Sequence, residues 1–148
     1  MAADPITELA RLVVEVTSPG GEPEVEAPAA LEGPLMKALE AHGWSAVRVD
    51  RAPVHGRDTL LHALYQACEL PGWFGFTWDA LLDCLSDFSW RPAAGHALVF
   101  RDLDLLEERA PEVALSFLEL VAEAREERGA QVRVVRLSPP PERGAGTH

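Results

Sequence analysis

Two short runs of apolar and β-branched residues, HALVF at 96–100 and QVRVVRL at 131–137, enclose one long segment with helical spacing. Val113, Phe117, Leu120, Val121 and Ala124 recur at that spacing, Pro111 suits a first helical turn, and Gly129 stands where the helix must stop. Two strands joined by a single helix cannot form a hairpin. They are predicted to lie parallel in one sheet, with a right-handed crossover between them.

The chain upstream supplies the rest of such a fold. SAVRVD at 45–50 alternates apolar and polar residues and reads as a strand. A helix can start at Asp58 or Thr59 and run through LLHALYQACEL, with Leu61, Leu64, Tyr65 and Cys68 inward and Pro71–Gly72 as its end. Thr77 suits an N-cap for a second helix, WDALLDCLSDF, whose inward face is Leu81, Cys84, Leu85 and Phe88. RDLDLLEER at 101–109 reads as an acidic turn. The order strand, helix, helix, strand, helix, strand predicts an α/β fold, a small three-stranded parallel sheet packed with helices, over residues 44–138. Residues 1–43 read as an N-terminal extension. Within it ARLVVEV (10–16) is a strand or short helix end, the Pro/Gly-rich acidic stretch 17–30 a linker, and 31–42 a helix closed by Gly43. Residues 139–148 read as a flexible tail.

Composition excludes several classes of function. The chain of 148 residues carries 24 acids against 13 bases, a formal charge of −11, which opposes binding to DNA or RNA. No apolar run approaches the roughly 20 residues of a membrane span, and the acidic start lacks a signal-peptide pattern, so a cytoplasmic protein is expected. Cys68 and Cys84 fall inside apolar helical patterns and read as buried, reduced thiols. The five histidines lack ligand spacing, so neither metal nor cofactor is expected. No nucleophile triad, phosphate loop or metal motif suggests an enzyme.

The segment from Glu69 to Trp90 is the exception to this plainness. Asp79, Asp83 and Asp87 stand at i, i+4 and i+8 of the second helix and share a face. Like charges at that spacing cost a helix roughly 0.2–0.5 kcal/mol per pair, and no Lys or Arg lies within the segment to offset them. Trp73, Phe74, Phe76, Trp78, Phe88 and Trp90 crowd the same stretch. On spacing alone the stripe is either a solvated face or a docking face. Its aromatic neighbours and missing bases favour a surface for a cationic partner. Trp73 is a contact or a core residue, and Trp78 with Leu82, four apart, can be core, rim or interface.

At LPGWFGFTWDALLDCLSDF the sequence resembles the barstar family, intracellular inhibitors of small secreted ribonucleases. Leu70, Pro71, Trp73, Phe74, Gly75, Asp79, Ala80, Leu81, Asp83, Cys84 and Leu85 carry the likeness, which extends over residues 45–138 and leaves 1–43 uncovered. The resemblance implies a partner, a small basic ribonuclease whose active site is plugged by the acidic helix and the aromatic loop before it. It implies that Asp83 stands where substrate phosphate would, that Asp79 meets nearby cations, that Trp73 stacks over the enzyme's catalytic histidine, and that Glu123 adds a rim charge pair. Thr77, Trp78, Leu82 and Asp87 complete the expected contact set. The sequence departs from the family pattern at Leu82, where Trp is frequent, at Asp87, where Gly is common, and at Thr77, where Asn is usual. The alternative is an acidic module for a different basic toxin or a regulatory partner. A monomer is favoured over a third reading, a structural domain that dimerises through residues 1–43.

Overall fold

The computed structural model describes residues 4–139. Ten regular elements follow one another, apart from a short 3-10 turn at Ala29–Leu31. They are α1 (Pro5–Thr17), β1 (Glu24–Pro28), α2 (Glu32–Ala41), β2 (Trp44–Arg48), α3 (Arg57–Ala67), α4 (Trp78–Asp87), β3 (Gly95–Phe100), α5 (Leu103–Arg109), α6 (Pro111–Arg128) and β4 (Val132–Ser138). The four strands form one sheet in the order β1-β4-β3-β2, and every neighbouring pair is parallel.

All six residues of β3 are buried, because helices cover both faces of the sheet. Alternate side chains feed two separate cores. Leu98 and Phe100 of β3, with Val132 and Val134 of β4, pack under α3 to α6. Ala97, Val99, Val135 and Leu137 face the other way, against Leu12 and Val16 of α1 and Leu35 and Leu39 of α2. The continuous apolar run HALVF follows from a central strand with no wet side.

The parallel α/β architecture is as the β–α–β pattern predicts, but the sheet has four strands and not three. The additional strand is β1, in the stretch expected to be a linker. Only Val25 and Ala27 point inward, so the apolar signal is two residues long and sits among acids and prolines. Pro28 is tolerated because β1 is an edge strand. Glu24 accepts hydrogen bonds from Arg136 of β4 at 2.8 Å, which turns an apparent linker acid into a cross-strand partner.

Two further expectations change. ARLVVEV is not a strand but the C-terminal part of α1, a helix of 13 residues and not a short one. Asp4 caps that helix by accepting from Thr7 N at 2.9 Å, Pro5 opens its first turn, and Leu12, Val13 and Val16 make its buried stripe. Capping and packing outweigh the β preference of three valines. The acidic turn RDLDLLEER is the helix α5, held by Leu103 and Leu106 one turn apart in the core. Gly43 and Gly129 do follow α2 and α6 in the left-handed conformation, at φ of 81° and 68°. The tail expected at 139–148 lies outside the described residues except for Pro139.

Among the described residues no helix is long and apolar enough to cross a membrane, and no group of three or more His, Cys, Asp or Glu is placed to hold a metal.

Candidate functional site

The loop between α3 and α4 is built to expose one tryptophan. The chain leaves α3 through Glu69 in the left-handed region at φ 53°, and Leu70 N closes the turn on Tyr65 O at 3.0 Å. Leu70 and Phe74 then enter the core, at 5% and 3% exposure. Phe74, Phe76 and Tyr65 cluster with ring centroids 4.8 to 6.3 Å apart, and His62 lies against Phe76 at 4.6 Å. With the flanking side chains anchored, Trp73 is left 61% exposed. Arg57 Nη2 donates to Phe76 O at 3.1 Å and Trp90 Nε1 to Cys68 O at 3.1 Å, holding both ends of the segment.

Thr77 performs the predicted N-cap, its Oγ1 accepting from Ala80 N at 3.1 Å. Helix α4 then buries Leu81, Leu82, Cys84 and Leu85 and turns Asp79, Asp83 and Asp87 to solvent. The left-handed Phe88, at φ 51°, ends it. The three carboxylates and Trp73 therefore lie on neighbouring parts of one rigid element and its entry loop. Asp79 forms no ion pair among the described residues. Asp87 accepts from Ser89 Oγ at 2.8 Å.

Asp83 differs. Its Oδ1 is 2.9 Å from Arg128 Nη1, in the last turn of α6, with the two side chains 60% and 41% exposed. Spacing within α4 holds no trace of this cation, because it arrives from 45 residues away. The one available signal was its position just before Gly129, a helix end that favours a positive charge. The remaining expected residues are less central. Leu82 is 8% exposed and belongs to the core, so it supports α4 from beneath and offers a partner almost no surface. Trp78 is half-buried and packs on the same core. Glu123 is exposed on α6, which packs against α4, and forms no hydrogen bond or ion pair among the described residues.

The cysteines are inert as expected. Burial pushes the Cys68 thiol up to about 12, and burial with the nearby Asp83 and Asp87 pushes Cys84 up to about 11. Neither thiolate forms near neutrality.

Asp79, Asp83 and Asp87 are all exposed on one helix face. A concave region of about 680 Å³ lies between α2, β2 and α3, away from Asp79 and Asp83. Asp87 borders a cavity of about 340 Å³, shared with Phe88, His96 and Gly129. A carboxylate row open to water beside an exposed indole is suited to entering another molecule's cleft, where charge-assisted bonds to guanidinium groups are strong.

No curated protein matches the chain. A family model described as Barstar (barnase inhibitor) matches residues 44–137, from the first residue of β2 into β4, and leaves α1, β1 and α2 outside it. The chain belongs to the barstar family.

Proposed function

We propose that this protein inhibits a small basic ribonuclease by inserting α4 and the Trp73 loop into the enzyme's active site. The observation that carries the proposal is the joint exposure of Asp79, Asp83 and Trp73 on an element whose other side is fixed in the core. Asp83, at the centre of the stripe, takes the place of a substrate phosphate, and its carboxylate accepts from the guanidinium and imidazole groups that would hold that phosphate. Asp79 meets cations one turn earlier. Trp73 lies on an aromatic or imidazole ring at the mouth of the site. Thr77 holds the geometry of the helix start, and Trp78 and Glu123 form the rim. The chain acts by occlusion and performs no catalysis. Its charge of −11 steers association with a basic enzyme, an effect that salt screens.

Titration of the purified protein into a panel of small basic ribonucleases tests the proposal. Activity should fall linearly to near zero at one equivalent for at least one enzyme. If every enzyme keeps full activity at a large excess, while a different cationic protein binds the acidic face, the chain is an inhibitor or regulator of another class.

A further inference from the structure

Arg128 already engages the acidic stripe. It reaches across from α6 to the central carboxylate of the stripe, Asp83, at 2.9 Å, while Asp79 and Asp87 keep no guanidinium partner among the described residues. The end of α6 that carries it is held firmly. Arg125, one turn earlier, is 9% exposed and donates to Val132 O at 2.9 Å, and Ala130 N returns to Ala124 O at 2.9 Å. The guanidinium of Arg128 is thus the exposed end of an arm anchored at its base. The terminal carbonyls of α6 favour a cation there whether or not it touches Asp83.

We infer that Arg128 holds, in the free protein, the place of the partner's cation, so that recognition exchanges one guanidinium for another. This inference rests on the acidic face being the binding face. The intramolecular pair is exposed on both sides, and such pairs change an equilibrium by no more than about fivefold. A cation that arrives inside a cleft excludes water and bonds more strongly to the same carboxylate. Exchange therefore runs toward the complex, and Asp83 is already positioned to accept. The displaced Arg128 remains at the rim as a positive charge. A partner that is basic throughout repels it. A partner with a carboxylate beside its basic cleft receives it, so Arg128 selects for that mixed-charge surface.

Hexa-arginine serves as a probe whose binding needs no cognate enzyme. Arg128→Ala should bind it about two- to fivefold more tightly than the wild type, and the gain should vanish in an Asp83→Asn background. In the wild type, the side-chain Nε signal of Arg128 should shift on peptide addition while the backbone amides of α6 stay in place. If Arg128→Ala leaves affinity unchanged or lowers it, while Asp83→Asn weakens binding, the exchange falls and the acidic binding face stands. If neither Asp79→Asn nor Asp83→Asn alters affinity, the binding face and the exchange fall together.

Discussion

Phe88 lies flat on His96, with ring centroids 3.6 Å apart and planes 11° apart. The contact joins the left-handed residue that ends α4 to the second residue of the central strand β3, so the acidic helix is tied to the middle of the sheet. His96 is 6% exposed there.

That burial makes stability depend on pH. Burial, and then the positive charge of Arg91, push the imidazole down from 6.5 to about 4. The unfolded chain binds a proton near pH 6.5, and the folded chain resists it until about pH 4. The stabilisation from keeping His96 neutral is therefore complete above pH 6.5 and is lost as pH falls toward 4. It amounts to about 3 kcal/mol. Urea unfolding at pH 4.5 and pH 7 should show this loss, and His96→Phe should flatten the difference. An equal pH slope in that variant would rule out His96 as its source.

Gly95 is required by its neighbour and not by its backbone angles. A Cβ at this position would lie 2.3 Å from the Trp44 ring, its register partner on β2. Gly95→Ala should destabilise the fold by roughly 3 kcal/mol, the upper range for overpacking. Trp44→Leu should cost stability alone yet recover part of the loss in the double variant. Strictly additive effects in the double-mutant cycle would show that the ring is not the cause.

Residues 1–43 should prove inseparable from the matched region. Leu12, Val16, Leu35 and Leu39 are each 1% exposed or less, and burial of each contributes roughly 1.5–3 kcal/mol. Domains hold only about 5–15 kcal/mol in total. A chain beginning at Trp44 should fail to unfold cooperatively and should self-associate in sedimentation. Leu39→Ala in the full chain should cost about 2–5 kcal/mol. A well-folded monomeric truncation would sink this prediction.

Binding and stability should separate on α4 and its loop. Trp73→Ala and Asp83→Ala should each change unfolding free energy by less than about 1 kcal/mol, because both side chains are exposed. Against an inhibited ribonuclease, Asp83→Ala should weaken binding by at least about 1.5–3 kcal/mol, and Asp87→Ala by far less. Calorimetry distinguishes them, and equal losses would remove the phosphate-mimic role from Asp83.

The sequence showed what depends on local pattern. The β–α–β unit was legible because β3 is a nearly continuous apolar run, β4 is rich in valine, and α6 has clear ends. The face of α4 was legible because one helix sets the spacing of Asp79, Asp83 and Asp87. What escaped depends on distant parts of the chain. Glu24 and Glu26 hide β1 until Arg136 and Ser138 arrive from the other end to pair with them. The valines of α1 read as strand until the sheet face they cover is in place. Arg128 could not be linked to Asp83 by any spacing rule, since α6 reaches α4 only in the folded chain.

The position of β1 also bears on how the molecule forms. Glu24 stands in register with Val134, so the first strand pairs with the last. During synthesis β1 has no pairing partner until β4, Val132–Ser138, has been made. Sheet completion is then a late, long-range event. Contacts of such separation in sequence slow folding, and the waiting strand is a point where a chaperone, or a second nascent chain, could intervene.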